Sequence, residues 1–209
     1  MTTFSDQIRS KYELGEVQHM TDLQNLELIL RELAILSNNQ IKKKSIQILD
    51  ISNQSVQCGR ANITIPCTSR PLHDYVPLYW GKKTPMVSAL RSQNETLVFL
   101  MFSTDLLAEF DCVLSDGNAR SNGTTFKVFK QLSDLDFLNH RDINTLKFAH
   151  DDEIKRRKQS ELLVLDRLPL KHLRYIICYS EIVKLKVQAL LIAHGARRGV
   201  YIGRSNYYF

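Results

Sequence analysis

Apolar residues gather in short clusters along the chain, and these clusters predict a sheet of buried strands. Four stretches are dominated by aliphatic and aromatic residues, and they cover residues 95–103, 111–116, 161–167 and 175–180. The closing stretch, residues 199–209, is also strand-like and is rich in aromatic rings. A sheet of short strands is therefore the expected centre of the fold.

Helical spacing appears between these clusters. Gln24 stands three residues after Thr21, which predicts a capping box at the start of an amphipathic helix with leucines at 23, 26, 30 and 33. Thr84 precedes a proline and predicts the start of a second helix. Ser180 predicts the start of a third, which ends at Gly195.

The remaining segments carry weaker patterns. Residues 133–142 are helix-like, and the lysine-rich residues 42–52 suit a turn that leads into a short strand or an irregular segment. No repeat, low-complexity tract or convincing linker divides the chain. The pattern as a whole predicts a single α+β domain with a central sheet of short strands.

Length and composition restrict the class of protein. The chain has 209 residues, a net charge of +6 and an isoelectric point near 9.1, which fits one domain and favours polyanionic partners. Its four cysteines form no Cys-x-x-Cys pair and have no histidine at metal spacing, so neither a metal site nor a redox motif is expected. The polar first residues, and apolar runs far shorter than the ~20 residues of a membrane span, predict a soluble cytoplasmic protein.

Residues 70–86 combine aromatic rings with prolines. They hold His73, Tyr75, Tyr79 and Trp80 around two prolines, which fix φ and predict a rigid extended segment or loop. Such rings either stack on a nucleobase or a nicotinamide, or pack as a core cluster beneath a long loop. Spacing alone favours the core cluster.

Three polar residues invite a functional interpretation beside an ordinary one. His19 precedes the first predicted helix, where it could bond a ligand hydroxyl or be a surface histidine. Arg60 suits a phosphate or a developing anion, although arginines are usually solvated. Glu161 opens a buried strand, so it meets solvent at a sheet edge or faces a pocket. The basic run just before it, residues 155–158, is a solvated helix face or a phosphate-binding patch.

Several stretches, taken in order, resemble the DarT family, the DNA ADP-ribosyltransferase toxins of bacterial DarT–DarG systems. They are HMTDLQNLELIL, ISNQSVQCGRANITIP, PLHDYVPLYWGKKTPM, VLSDGNA, RRKQSELLVLDRLPL, IICYSE and RSNYYF. The most specific are LHDYVPLYW and the Gln-x-Glu strand opening, in combination. The resemblance runs from His19 to Phe209, and it implies a domain over residues 19–209 behind an N-terminal lead-in of residues 1–18.

The resemblance implies a fold and a reaction. The fold is a single-domain ADP-ribosyltransferase-like α+β fold, in which a central sheet of short strands and flanking helices form an NAD-binding cleft. The reaction transfers ADP-ribose from NAD⁺, a co-substrate, to a base in single-stranded DNA, with thymidine expected and no metal required. The implied partner is a DarG-type antitoxin, whose macrodomain removes the modification.

The matching motifs also imply roles for particular residues. Glu161 matches the catalytic glutamate, whose carboxylate can hold the ribose 2′-hydroxyl and offset the positive charge of an oxocarbenium-like ribose. Arg60 matches the arginine that acts with it, through an NAD⁺ phosphate or through loss of the target base's proton. The NAD⁺ site would comprise His19, Asn53, Tyr75, Tyr79, Trp80 and Met86, and DNA phosphates would meet Lys155, Arg156, Arg157 and Lys158.

Two positions depart from the family pattern. Residues 13–18 are more polar than the apolar and basic lead-in of the family, and Asn118 stands where a histidine is expected. Two other functions stay open on the sequence. One keeps the cleft but modifies guanine, RNA or a protein side chain, and the other is a catalytically silent relative that holds single strands. Phosphate contacts by the basic run would not distinguish them, because such contacts carry no base identity.

Overall fold

The computed structural model describes residues 3–51 and 54–209 of the chain. Within those ranges the α-helices are α1 (Phe4–Tyr12), α2 (Leu26–Glu32), α3 (Asn38–Lys43), α4 (Gln54–Ala61), α5 (Pro85–Ala89), α6 (His140–Asn144), α7 (Asp152–Arg157), α8 (Glu181–Ala193) and α9 (Arg204–Tyr207). The strands are β1 (Val17–Asp22), β2 (Ala34–Leu36), β3 (Thr64–Ile65), β4 (Arg70–Pro71), β5 (Tyr75–Tyr79), β6 (Leu97–Phe102), β7 (Cys112–Ser115), β8 (Phe126–Val128), β9 (Glu161–Leu165), β10 (Arg167–Pro169), β11 (Leu173–Cys178) and β12 (Gly199–Ile202).

One large sheet organises the domain. In the described part of the chain it has eight strands in the order β12-β11-β6-β1-β5-β9-β7-β8, and only β11 and β12 pair in parallel. The four strands expected from apolar clusters are confirmed as β6, β7, β9 and β11. All six residues of β6 are buried, as a strand covered on both faces requires. The predicted α+β class with a central sheet of short strands is confirmed.

The helices expected at positions 84 and 180 are confirmed as α5 and α8. Ser180 caps α8 by accepting from the Val183 amide, and Gly195 follows the helix in the left-handed region, with φ +63°. The helix-like residues 133–142 form a short 3₁₀ helix, Leu132–Phe137, and then α6. Residues 46–51 are irregular, which was one of the two expected outcomes.

The first predicted helix begins later than the sequence indicated. Thr21 lies inside β1, so it is not an N-cap, and Asp22 instead accepts from the Gln24 amide to start a short 3₁₀ turn. The α-helix itself starts at Leu26. Residues 199–209 were expected to be strand-like, but β12 ends at Ile202 and the helix α9 follows it.

The N-terminal helix is packed onto the body of the protein. Ile8 and Tyr12 of α1 are buried in the main hydrophobic core, and the Tyr12 hydroxyl donates to the Leu132 carbonyl at 2.9 Å. The departure at residues 13–18 therefore connects this helix, which packs on the core through one face, to β1. No described helix has the length and hydropathy needed to cross a bilayer.

The sheet is nearly divided at one seam. Strand β1 shares six residue pairs with β6, and β5 shares five with β9. Between β1 and β5, the pairing in the described residues is limited to Gln18 with Tyr79. The two strands diverge beyond that pair, and this divergence opens the cleft described next.

Candidate functional site

A cleft with a cavity volume of about 190 Å³ lies where β1 and β5 separate. His19, Met20 and Thr21 line one wall, and alternate residues of β5 line the other because successive side chains of a strand point to opposite faces. Helix α4 contributes Arg60. Apolar residues fill the far end, among them Leu28, Ile29, Ile35, Leu36, Ile41, Ile48 and Leu49.

An arginine and a glutamate meet behind this cleft. Glu161 is the first residue of β9, is paired across the sheet with Tyr79, and has 0% of its surface exposed. The Arg60 guanidinium donates to both of its carboxylate oxygens, Nη1 to Oε1 at 3.1 Å and Nη2 to Oε2 at 2.9 Å. Such a two-pronged pair fixes orientation as well as charge. The structure thus brings together two residues that lie 101 positions apart.

The carboxylate of Glu161 keeps spare accepting capacity on one side. Its Oε1 accepts from Arg60 and from the Ala119 amide at 2.9 Å, while Oε2 accepts from Arg60 alone among the described residues. A carboxylate oxygen can accept two hydrogen bonds, so Oε1 is saturated and Oε2 is not. A ligand hydroxyl that reaches Glu161 would therefore bond Oε2.

Burial and the charges of this ion pair shift the pKa values of Arg60 and Tyr79. Burial opposes the positive charge of Arg60, but the charge of Glu161 and the hydrogen bonds to it outweigh burial and raise the pKa of Arg60. Burial, and then the nearby Glu161 charge, raise the pKa of Tyr79 far above its ordinary value. Arg60 is accordingly a permanent cation, and the Tyr79 hydroxyl is always protonated.

A turn after β7 supports Glu161 from its backbone side. The Ser115 hydroxyl accepts from the Glu161 amide at 3.0 Å and donates to the Gly117 carbonyl at 2.7 Å. Asn118 donates to the Gln159 side chain at 3.1 Å, which ties the turn to the residues just before β9. The same turn presents the Ala119 amide to Glu161. The motifs SDGNA and Gln-x-Glu marked this region, but nothing in the sequence indicated Ser115, Ala119 and Gln159 as supports of Glu161.

His19 is held as a neutral acceptor in the cleft wall. Its Nδ1 lies 3.0 Å from the Pro77 carbonyl oxygen, and because a carbonyl can only accept, Nδ1 carries the proton. Burial lowers the pKa of His19, which keeps the ring neutral near pH 7. The lone pair of Nε2 is then available to a ligand.

The predicted aromatic wall is divided by the pleat of β5. Tyr75, Tyr79 and Met86 line the cleft, where the Tyr79 hydroxyl donates to the Met86 sulfur at 3.4 Å and Tyr75 donates to Thr68 at 3.0 Å. Trp80 follows Tyr79 and points to the opposite face, into the main core, and it is not among the described residues that line the cleft. The expectation that Trp80 continues the wall is therefore corrected. Within residues 70–86 the expected extended segment is confirmed as β5, and the residues around it form β4, a 3₁₀ turn and a loop that leads into α5.

His73 also lines the cleft and has no hydrogen-bond partner for its buried Nε2 among the described residues. The sequence indicated this residue only as part of an aromatic segment. Asn53, the other residue expected in the co-substrate site, lies outside the described residues. No group of three or more His, Cys, Asp or Glu side chains within residues 3–51 and 54–209 is arranged to hold a metal ion.

The basic run before Glu161 is not a free patch. Arg156 donates to Glu153 and to Asp116, and its side chain is only 10% exposed. Arg157 contacts Glu153 and Asp142, and Lys155 lies 3.9 Å from Asp152.

Lys158 departs most clearly from the expectation that the basic run contacts DNA phosphates. It is 1% exposed and donates to the Ile143 carbonyl at 3.1 Å, and burial lowers its pKa to about 8. A phosphate cannot meet Lys158 in this position, nor meet Arg156 without competing with two carboxylates.

Comparison of the sequence with known proteins identifies a family. Residues 18–209 match the family described as ssDNA thymidine ADP-ribosyltransferase, DarT. A DNA ADP-ribosyl transferase of Escherichia coli O127:H6 (strain E2348/69 / EPEC) is 31% identical over 175 residues, which cover 77% of this chain and 79% of the relative. One from Thermus sp. (strain 2.9) is 29% identical over 194 residues, 88% of this chain and 90% of the relative.

Solved structures resemble the fold over nearly its whole length. Thermus sp. 2.9 DarT in complex with ADP-ribosylated ssDNA matches with a TM-score of 0.84 and 28% identity, over 94% of this chain and 97% of that one. The same protein in complex with NAD⁺ matches with a TM-score of 0.78 and 27% identity, over 92% and 97%. Thermosipho africanus DarTG in complex with ADP-ribose shares the fold at 21% identity, with a TM-score of 0.74, over 90% of this chain and 49% of that one.

Proposed function

Because the chain belongs to the DarT family of single-stranded DNA thymidine ADP-ribosyltransferases, we propose that Glu161 and Arg60 catalyse transfer of ADP-ribose from NAD⁺ to a thymidine base in single-stranded DNA. The observation that carries the assignment of residues is the two-pronged ion pair behind the cleft, with one accepting position of Glu161 still open. The related Thermus protein has been captured with NAD⁺ and with ADP-ribosylated ssDNA, which supports both substrates here.

Glu161 stabilises the charge that develops on the sugar. The bond between ribose C1′ and the nicotinamide nitrogen breaks, a bond from C1′ to a thymine nitrogen forms, and that nitrogen loses one proton. The ribose becomes oxocarbenium-like on the way, and a carboxylate that accepts from its 2′-hydroxyl offsets the positive charge. Oxygen Oε2 is the acceptor because Oε1 is saturated.

Arg60 acts as a cation and not as a base. Its raised pKa prevents proton abstraction, so it stabilises negative charge on NAD⁺ phosphate or on the deprotonating base. Glu161 is fully buried in this arrangement, and Arg60 lies between it and the cleft. The Arg60 side chain therefore shifts when NAD⁺ binds, while the Ala119 amide continues to orient the carboxylate.

The cleft walls receive the rest of NAD⁺. Tyr75 and Tyr79 present ring faces to the nicotinamide half, and His19 Nε2 accepts from a ribose hydroxyl. Met86 continues this wall. No step requires a metal. Of the basic run, Lys155 and Arg157 are the most exposed, but both have carboxylate neighbours that offset their charge toward DNA phosphates.

The proposal also includes a partner and a compartment. A DarG-type macrodomain antitoxin is the expected partner, since it would reverse the modification of DNA made by a toxin of this family. The cytoplasm of a bacterium holds both NAD⁺ and DNA, so the reaction is proposed to occur there.

Mass spectrometry of a modified oligonucleotide tests the reaction and the acid together. A single strand with one thymidine is incubated with NAD⁺ beside a matched strand with deoxycytidine at that position. Only the thymidine strand should gain one ADP-ribose, and Glu161→Gln should reduce the gain at least about 100-fold, because the buried carboxylate charge is lost.

Glu153→Gln is the matched control, since Glu153 also pairs with arginines but lies on the surface. It should label the strand normally. Equal labelling of both strands would contradict the thymidine assignment, and full activity of Glu161→Gln would remove Glu161 from the mechanism. Binding of either strand without any labelling by the wild type would favour a catalytically silent single-strand binder.

A further inference from the structure

Lysines and aromatic rings form a second basic surface, next to the buried Lys158 at the end of the basic run. It comprises Lys82, Lys83, Lys147, Phe148 and Phe209 and is called here the lysine–aromatic surface. The Lys83 ammonium lies 5.1 Å from the centroid of the Phe209 ring, and the Phe148 and Phe209 rings meet edge to face at 6.2 Å. Phe209 is 46% exposed, and Phe148 is half-buried. Exposed rings flanked by lysines are the arrangement that takes up single-stranded nucleic acid.

Two cations of this surface, Lys82 and Lys83, contact aromatic rings and no carboxylate in the described part of the chain. No carboxylate of the described residues lies within 4.0 Å of Lys82, Lys83 or Lys147, in contrast to Lys155, Arg156 and Arg157. The acidic residues nearest in sequence have other partners, since Asp151 accepts from two amides at the start of α7 and Asp152 faces Lys155. A phosphate can therefore approach these lysines without competing with a carboxylate of the described residues.

The surface adjoins the turn that leads to Glu161. A Cβ added to Gly81 would lie 2.8 Å from the Lys158 carbonyl oxygen, so the loop at residues 81–83 packs directly against the turn that leads into β9. The Gly81 carbonyl accepts from Gln18 at 2.5 Å, which fixes the loop to β1. Lys82 follows Tyr79 by three residues, a distance of roughly 10 Å in extended chain.

The surface also lies on the same side of the sheet as the cleft. The Lys82 ammonium stands 4.9 Å from the centroid of the Tyr207 ring. Tyr207 packs in the hydrophobic cluster against which Met86 lies, and Met86 accepts from the Tyr79 hydroxyl. The Phe209 carbonyl accepts from Asn94 at 2.9 Å, which holds this part of the chain in place.

We propose that the lysine–aromatic surface binds the single-stranded DNA that flanks the modified base. Lys82, Lys83 and Lys147 contact phosphates, and Phe209 with Phe148 stacks a neighbouring base. The inference rests on the proposed function for the identity of the ligand, and it assigns strand binding to residues other than the basic run. Stacking on rings tolerates any base, so this surface holds the strand while the cleft selects thymidine.

Fluorescence anisotropy without NAD⁺ tests the surface independently of catalysis. The probe is a labelled single strand of about 15 nucleotides, titrated over a range of salt concentrations. Lys82→Gln/Lys83→Gln should weaken binding roughly tenfold at low salt and make the plot of log affinity against log salt shallower by about 1.4. Phe209→Ala should weaken binding about fivefold or more with the slope unchanged.

The matched control is Lys11→Gln/Lys171→Gln. Both of these lysines also lie over aromatic rings, at 4.7 Å from the Tyr12 centroid and 5.5 Å from that of Phe110, and the double variant removes the same charge. It should bind within about twofold of the wild type. Equal affinities of the two double variants for the strand would overturn the assignment of DNA binding to the lysine–aromatic surface. A wild type that binds DNA but transfers no ADP-ribose would overturn only the proposed function.

Discussion

Two arginines of this protein each donate to a glutamate through two nitrogens, one to a buried glutamate and one to an exposed glutamate. Arg60 reaches a carboxylate that is completely enclosed and has one accepting position left over. Arg156 reaches Glu153, which is half-exposed, and also Asp116 and Thr124. The first pair leaves Glu161 able to take one more bond, while the guanidinium of the second is shared among three residues. The same kind of contact therefore leaves a reactive carboxylate at Glu161 and links parts of the fold at Arg156.

The largest effect expected from this contrast is on catalysis. Arg60→Lys keeps the charge but loses the two-pronged geometry, so initial rates of ADP-ribose transfer should fall about 100-fold. Arg156→Lys, the same substitution in the other pair, should retain transfer within about tenfold. If Arg60→Lys remained within tenfold of the wild type, Glu161 would not depend on the shape of its partner.

The second effect is on stability. Arg156→Ala removes the link between α7 and the turn that carries Ala119, and leaves the partly buried Asp116 without its partner. We expect a loss of about 2 kcal/mol of unfolding free energy, or a drop of roughly 4–8 °C in melting temperature. Urea denaturation would measure it. An unchanged midpoint would reduce this pair to an ordinary surface contact.

The third effect depends on pH and concerns Lys158, beside Arg156 in the basic run. Burial lowers its pKa to about 8 in the folded state, from 10.5. The unfolded chain thus binds the extra proton between these two values, so the folded state gains stability as pH rises through that window. Relative to Lys158→Met, the wild type should gain about 2.5 kcal/mol between pH 8 and 10.5 in urea unfolding. A constant difference across this range would show that the ammonium is not desolvated.

The smallest effect is expected at the exposed end of the same run. Lys155→Gln should change affinity for a single-stranded oligonucleotide at low salt by at most about twofold, because Lys155 is 48% exposed and stands near Asp152. Anisotropy measurements beside the Lys82 and Lys83 variants would check it. A tenfold loss of affinity in Lys155→Gln would show that the basic run also binds DNA.

Local pattern was sufficient for the interior of the fold. Strand β6 is apolar throughout and β9 is apolar after its first residue, Glu161, while α8 has a serine cap at one end and a glycine at the other. Neighbouring residues alone identify these elements. The start of the first helix was misjudged, because Thr21 and Gln24 fit a capping box while pairing of Thr21 with Val98 keeps it in β1. Tertiary contact there outweighs local preference.

The site was less accessible, because its parts are distant in sequence. Family resemblance pointed to Arg60 and Glu161, but their direct contact depends on where the tertiary fold places α4 relative to the first residue of β9. The basic run illustrates the opposite failure. Four consecutive cations indicate a solvated face, yet Lys158 is enclosed because the Ile143 carbonyl and the Phe148 ring cover it. Such contacts leave no trace in residues 155–158 themselves.

Burial of Glu161 affects which inactivating substitutions the protein can tolerate. Its negative charge is balanced inside the protein by Arg60, so a lineage that loses either residue inherits an uncompensated interior charge as well as a dead enzyme. Loss of activity by single substitution is thereby penalised in yield of folded protein. Inactive descendants should accumulate neutral replacements at both positions together, and a double Glu161→Gln/Arg60→Met chain should outlast either single variant in the cell.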